Sequence, residues 1–141
     1  MNKSFLAVLG SGALLLAGCG NDDKADDNHV KACTDFATAQ NKLVDYGIDG
    51  KQSLTLEKFA AAKTETIGSM DSAGLSTSDA DIKSRISTLV TDIPTDTVKL
   101  MTSKAAAESF NSNSTAVARA CESAGTTITV SKIPIIGYMG P

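Results

Sequence analysis

The chain has 141 residues, a net charge of −3 at pH 7, no tryptophan and only 4% aromatic residues. This length allows one domain with a modest core. A weakly acidic surface neither condenses on phosphate backbones nor adheres to anionic headgroups, so we do not expect a nucleic acid partner. The scarcity of aromatic side chains favours closely packed helices over a large aromatic-lined pocket.

Residues 1–18 have the layout of a secretory signal. One basic residue, Lys3, precedes an apolar run from Phe5 to Leu16, and small residues follow where such a signal is cut. The run is too short, and too often interrupted by glycine, for a spanning helix of about 20 apolar residues. We therefore predict that residues 1–18 form a cleaved signal peptide.

The end of this segment, Leu16-Ala17-Gly18-Cys19, resembles the lipobox of bacterial lipoproteins. The resemblance implies a diacylglyceryl group on the Cys19 thiol, cleavage before Cys19 and acylation of the new amino group, with palmitate among the acyl chains. It also implies a location in the bacterial cell envelope, on the outer face of the cytoplasmic membrane or in the outer membrane. Two or three acyl chains are enough to anchor a protein stably.

Cleavage leaves a short acidic segment ahead of the folded part. Removing 18 of the 141 residues, Lys3 among them, leaves 123 residues and changes the net charge from −3 to −4. Residues 19–27 contain four aspartates, which keep a chain solvated. Fully extended, residues 20–27 would span roughly 25 Å. We interpret 19–27 as a lipidated tether that lifts the domain off the bilayer.

Residues 28–125 are predicted to form four helices. The first begins near Asp27 or Asn28, and the second covers about 53–73. Gly47 and Gly74 are predicted to end these two helices in a left-handed conformation. The third opens with Ser78 as N-cap and ends near Pro94. Its apolar stripe is the best in the chain: Ile82, Ile86, Leu89, Val90 and Ile93.

The fourth helix is predicted to run from about residue 95 to Gly125. Two heptad positions stay in register along it, one with Leu100, Ala107, Ser114 and Cys121, the other with Ser103, Phe110, Val117 and Ala124. This register favours a single helix of nearly 30 residues, roughly 42 Å long. Residues 111–115 are poor helix formers, so a break there is the alternative.

Short loops favour antiparallel neighbours, so we expect an all-α fold with an up-down-up-down four-helix bundle. If Cys19 carries lipid, Cys33 and Cys121 remain as one pair in an exported, disulfide-permissive compartment. In this bundle their positions are adjacent, and we predict a disulfide. The alternative is a zinc site with His29 and Cys33 on one helical face, which would need two further ligands.

Residues 126–141 are predicted to be an extended apolar tail, because Pro134 and Gly137 oppose a helix. Three alternatives remain for it: packing back along the bundle, docking to a protein partner, or lying in the membrane interface. The candidate partner contacts are Ile133, Ile135, Ile136, Tyr138 and Met139.

No motif carries chemistry. The loop 45–57 has Asp45, Asp49 and Gly50 at calcium-loop positions one, five and six, but Leu56 occupies the position of the bidentate carboxylate. No combination of acid, base and nucleophile can be named, since His29 is the only histidine. We therefore expect no catalytic residue, no metal and no cofactor, and classify the protein as a non-enzyme.

The leading hypothesis is a lipid-anchored interaction module that binds or blocks another envelope protein. In size, anchor and scarcity of motifs it is similar to the small lipoproteins that phages and prophages express to exclude competing phages. In the predicted bundle, the loops 47–53 and 94–96 face away from the membrane and are the expected contact sites. The alternative function is a carrier or sensor of a small apolar ligand or lipid bound between the helices.

Overall fold

The computed structural model describes residues 28–48 and 55–135, and the regular structure within these ranges is entirely helical. The helices are α1 (His29–Ile48), α2 (Leu56–Leu75), α3 (Ala80–Asp92), α4 (Lys99–Thr102) and α5 (Lys104–Ser123). They form a helical bundle in which α1 packs on α2, α2 on α3 and α3 on α5. The predicted all-α class is confirmed. Residues 1–27, for which a signal peptide and a tether are predicted, and residues 136–141 lie outside the described residues.

The core is built from the apolar faces that helical spacing predicted. On α3, Ile82, Ile86 and Leu89 are buried, and Ile93 directly after the helix is buried as well. On α5, the buried positions are Ala107, Phe110, Ser114, Val117, Ala120 and Cys121. These two stripes join Phe36, Leu43 and Met70 in a single hydrophobic cluster. The periodic pattern therefore identified the buried faces of α3 and α5.

Side-chain oxygens cap the first turns of the helices. The Asp79 carboxylate accepts hydrogen bonds from the main-chain N–H groups of Asp81 at 2.9 Å and Ile82 at 3.0 Å. These are donors that a helix start leaves without intrahelical partners. The predicted cap at Ser78 was therefore wrong by one residue, because the carboxylate next to it takes the role.

Two of the three predicted glycine stops were wrong. Gly47 and Gly74 lie inside α1 and α2, and a Cβ atom added at Gly74 would come within 3.0 Å of Ile86. Gly74 is therefore at a close approach between α2 and α3, which favours the absence of a side chain. Sequence spacing alone does not distinguish such a packing glycine from a helix-ending one.

The third glycine stop is confirmed. Gly125 has a φ of +92°, the left-handed region that glycine adopts without steric cost. The N–H of Gly125 donates to Glu122 O at 2.9 Å, and the N–H of Thr126 donates to Cys121 O at 2.8 Å. This pair of bonds is the Schellman motif, and it turns the chain back after α5.

The predicted fourth helix is divided, but not where its composition suggested. The break is at Ser103, which is extended (φ −109°, ψ 115°) and separates the single turn of α4 from α5. Its hydroxyl accepts from Ala106 N at 3.3 Å, so Ser103 starts a new helix as an N-cap.

Residues 111–115 are helical in spite of their low propensity, because tertiary contacts engage their polar side chains. Asn113 donates to the Asp92 carboxylate at 2.8 Å. Ser114 is fully buried, and its hydroxyl lies 3.5 Å from Gln40 Nε2. Propensity differences of a few tenths of a kcal/mol per residue are easily outweighed by the burial of the inner face of α5, to which Ser114 belongs.

The two glycines within α2 allow a matched test. Gly68→Ala should stabilise the protein by about 0.5–1 kcal/mol, because a Cβ atom there meets nothing within 4 Å and the helix gains propensity. Gly74→Ala should destabilise it by about 1–3 kcal/mol, because Ile86 must move. Chemical denaturation of both variants checks the difference. Equal effects of the two substitutions would contradict the close approach at Gly74.

Candidate functional site

The predicted disulfide between Cys33 and Cys121 is confirmed. The two Cα atoms are 5.9 Å apart, 88 residues separate the cysteines in sequence, and both side chains are fully buried. A covalent loop of this length stabilises a fold by about 4 kcal/mol in the chain-entropy model. With its sulfur in this bond, Cys33 is not a metal ligand, so the zinc alternative was wrong.

After Gly125 the chain continues as a segment without helix or strand, residues 126–135, which we call the strap. The strap lies against α1 and α5. Ile133 is 3% exposed within the core cluster, and Ile128 and Val130 are partly buried against it. Of the three alternatives for the tail, packing on the bundle therefore describes residues 126–135.

This placement corrects the list of candidate partner contacts. Ile133 is buried in the chain's own core, so in this arrangement it is not open to a partner. Ile135 is half-buried. Ile136, Tyr138 and Met139 lie outside the described residues, and their proposed role stays a prediction.

Asn111 of α5 holds the strap through both the nitrogen and the oxygen of its side-chain amide. Its Nδ2 donates to Ile133 O at 2.9 Å, and its Oδ1 accepts from Ile133 N at 2.8 Å. The side chain thus satisfies both main-chain groups of a residue that has no secondary structure to do so. This pair of bonds fixes the strap at the residue whose side chain is buried in the core.

Two neighbouring residues of α1 hold the strap from the other side. Asn41 Nδ2 donates to Thr129 O at 3.0 Å, and Asn41 Oδ1 accepts from Ser131 N at 2.6 Å. Gln40 Nε2 donates to Ser131 O at 2.6 Å. The bound residues, 129, 131 and 133, alternate along the strap, which is typical of an extended chain presenting one edge.

Gln40 is a fully buried polar side chain with one unmet group. Its amide nitrogen is shared between Ser131 O and Ser114 Oγ, but Oε1 has no hydrogen-bond partner. A buried acceptor without a donor costs about 1–3 kcal/mol. Gln40 thus belongs to a polar contact that its present neighbours satisfy only in part.

Lys63 of α2 is the only buried charged side chain among the described residues, with 5% exposure. Its ammonium donates to Pro94 O, to Thr95 O at 3.2 Å and to Asp96 O at 2.9 Å, all in the loop after α3. Burial lowers the pKa of the Lys63 ammonium, and the Asp96 carboxylate acts in the opposite direction. Because three carbonyls occupy its donors, Lys63 has a structural role and is not a free nucleophile.

Two of the open grooves that the described residues line are found along α1 and beside the strap. One, of about 760 Å³, runs between α1 and α2 and is lined by small residues such as Ala39 and Gly68 with charged residues such as Lys42 and Glu65. The other, of about 290 Å³, lies beside the strap and is lined by Asn111, Arg119 and Lys132 among others. Asp35, Ser69 and Ser72 also line the first groove, and neither groove is lined by a histidine or a cysteine.

The residues considered as metal ligands do not form a metal site among the described residues. His29 is the first residue of α1, and Asp45 is exposed near the end of that helix. Asp49 and Gly50 of the calcium-loop alternative lie outside the described residues.

The residues that hold the strap and the 94–96 loop were not found from the sequence. Gln40 stands within the apolar face of α1, and Lys63 interrupts the apolar stripe of α2. A polar residue in an apolar face is the signal that could have identified these two. Asn41 and Asn111 carry no such signal, because their partners lie 88 and 22 residues away.

Replacing Asn111 by alanine should release the strap. The variant loses two hydrogen bonds to Ile133, and we expect a loss of about 1–3 kcal/mol in the free energy of unfolding. Hydrogen exchange of the Ile133 amide should become faster. Asn113→Ala is the control, since its bond to Asp92 is exposed and its loss should change stability by less than about 0.5 kcal/mol. Unchanged exchange at Ile133 would contradict this role of Asn111.

Lys63→Met keeps the side-chain stem but leaves three loop carbonyls without their donor. We expect it to lower the free energy of unfolding by about 1–3 kcal/mol, measured by chemical denaturation. Lys58→Met, on the exposed face of the same helix, should change it by less than about 0.5 kcal/mol. Equal stability of the two variants would show that the ammonium does not hold the loop.

Among the side chains of residues 28–48 and 55–135, no group of three or more His, Cys, Asp or Glu could hold a metal ion. No helix in the same part of the chain is long and apolar enough to cross a membrane. Comparisons with protein-family models, curated proteins and solved structures found no match to this chain.

Proposed function

We propose that this protein is a lipid-anchored envelope protein that acts as a non-enzymatic interaction module. The observation that carries the proposal is the lipobox Leu16–Cys19, followed after a short acidic tether by a disulfide-closed helical domain. An anchor keeps such a domain at one surface, where it can bind or block another envelope protein. Exclusion of competing phages is the specialised form of this role.

The fold supports a defined orientation on the membrane. Cys33 near the start of α1 is bonded to Cys121 near the end of α5, and Gly47 near the end of α1 lies close to Phe59 near the start of α2. We interpret these contacts as the antiparallel, up-down-up-down arrangement expected from the short loops. In this arrangement the disulfide lies at the membrane-proximal end, since the tether enters there.

The opposite end of the domain is the proposed contact surface. It includes the loop at 94–98, with Val98 41% exposed, and the start of α2, with Leu56 62% exposed. Apolar side chains of this kind contribute most of their binding free energy when a partner buries them. Of the predicted loop 47–53, residues 47 and 48 are the end of α1, and residues 49–53 lie outside the described residues.

The packing favours a module over a carrier of small apolar ligands. The space between the helices is occupied by the chain's own side chains, among them Phe36, Met70 and Phe110. The two described grooves are open and carry charged residues, whereas apolar ligands are usually enclosed by apolar walls.

Expression of the full chain in a bacterium with an outer membrane tests the anchor. Wild-type protein should incorporate labelled palmitate and fractionate with membranes. Cys19→Ser should lose the label and appear in the soluble envelope fraction. A membrane-bound Cys19→Ser variant, or an unlabelled wild type, would contradict the anchor.

A photo-crosslinking residue at Val98 tests the interaction, with one at the exposed Leu75 near the opposite end of α2 as control. Val98 should give one discrete crosslinked envelope protein that is absent for Leu75 and reduced in the Cys19→Ser background. Identical products from both positions would contradict a contact surface at the distal end.

For the exclusion role, cells that express the wild-type protein should resist at least one phage of a broad panel, and cells that express the Cys19→Ser variant should not.

A further inference from the structure

The polar contacts between the bundle and the strap all involve the main chain of the strap. Five hydrogen bonds from Gln40, Asn41 and Asn111 go to the N–H and C=O groups of residues 129, 131 and 133. Since every non-proline residue carries these groups, the bonds depend on an extended conformation and not on a particular sequence. We call the surface that holds the strap the strap groove. It is formed by Gln40, Asn41 and Asn111 and by the part of the core cluster in which Ile133 is buried.

Selectivity in the strap groove comes mainly from the apolar position 133, since Ile128 and Val130 are only partly buried against the core cluster. Ile133 is 3% exposed and belongs to the core cluster, whereas its neighbours Lys132 and Pro134 are exposed. Main-chain hydrogen bonds combined with a pocket for selected side chains are the means by which protein surfaces bind extended peptides. The strap groove has both features.

The strap is an incomplete occupant of this groove. Of the polar atoms of the three amide side chains, only Gln40 Oε1 has no donor, and Gln40 is fully buried. A segment that offers an N–H to this oxygen would satisfy every amide group of the groove, and buried acceptors favour such an occupant strongly. The unmet acceptor belongs to the same amide whose nitrogen donates to Ser131 O, so the strap engages only one of the two polar atoms of this side chain and leaves one contact for another occupant to make.

We propose that the strap groove is a binding site for an extended segment of a partner envelope protein, and that the strap covers it until such a segment replaces it. The inference rests on the proposed function as an interaction module and names the site. The ligand is a non-helical segment without proline at the positions equivalent to 131 and 133, with a β-branched aliphatic residue at the second. The strap competes with it from within the same chain.

A covalently attached competitor acts at an effective concentration of the order of millimolar. A free peptide should therefore bind the wild type weakly and bind a variant with a loosened strap much more tightly. Ile133→Ala loosens the strap by removing its buried side chain. Ser131→Pro does so by removing the N–H that Asn41 accepts, which makes it a second opening variant if the first does not fold.

The probe is a fluorescent peptide with the sequence of residues 126–135, added to the full chain purified in detergent and followed by anisotropy. Both opening variants should bind it about tenfold or more tightly than wild type, and Lys132→Ala, at an exposed position, should behave like wild type. Adding Asn111→Ala to an opening variant should abolish the gain. Circular dichroism and the intact disulfide verify that each variant is folded.

Two altered peptides test the chemistry of the contact. A peptide N-methylated at residue 133, which cannot donate to Asn111, and a peptide with Ile133→Asp should each bind the opening variants at least about tenfold more weakly. Equal binding of all three peptides would overturn the proposal, as would no binding to folded opening variants. Dimerisation of these variants without peptide binding would overturn it in favour of strap exchange between two copies.

This experiment is independent of the anchor. If the peptide does not bind while Val98 still crosslinks a discrete partner, the proposed role of the strap groove is wrong and the proposed interaction module is unaffected. If Cys19 carries no lipid while the peptide binds as expected, the proposed anchor is wrong and the proposed binding site in the strap groove is unaffected.

Discussion

Alanines and a glycine at the contacts between helices allow the helices to approach closely, and much of this structure depends on that packing. Aromatic residues make up 4% of the chain, and alanines 32, 39, 73, 107 and 120 are all buried. Small residues bury little apolar area each, so they contribute through short distances between helix axes. The absence of a side chain at Gly74, next to Ile86, is one result. The covalent link between α1 and α5 is another, because it supplies stability that a modest core does not.

Long polar side chains complete what the helices leave unsatisfied. Two irregular segments of the described chain, the 94–96 loop and the strap, have main-chain groups that no strand or helix pairs, and both lie against the bundle. In each case a helix supplies the partners: Lys63 for the 94–96 loop, and Asn41 and Asn111 with Gln40 for the strap. The fold therefore treats a loop and a tail in the same physical way, by side-chain donors and acceptors directed at main chain.

The sequence predicted those features that depend on local periodicity or on compartment. The core positions of α3 and α5 followed from helical spacing. The Cys33–Cys121 pair followed from the predicted export and from the assignment of Cys19 to a lipid, which leaves these two cysteines. The glycine stops failed at Gly47 and Gly74, because a glycine required for close packing has the same local pattern as one that ends a helix. The break at Ser103 was missed because the heptad register continues across it.

The strap groove could not be predicted, because its bonds join residues that are distant in sequence. Nothing near Asn111 shows that it will bind Ile133, and nothing near Asn41 points to Ser131. The polar character of residues 111–115 was visible, but it suggested a helix break instead of a tertiary role. Only the placement of α1 beside α5 brings the amides to the two sides of one extended segment.

The disulfide divides the chain into a covalently closed part and a part that is held by non-covalent contacts alone. Residues 33 to 121 form a covalent ring that includes most of α1 and almost all of α5, whereas the strap begins five residues beyond it at Thr126. Loss of the strap therefore opens no part of the ring, and the two sides of the strap groove stay linked at one end whether or not it is filled. A ligand exchange at this site would leave the scaffold closed, so the same molecule could change occupants repeatedly without passing through an unfolded state.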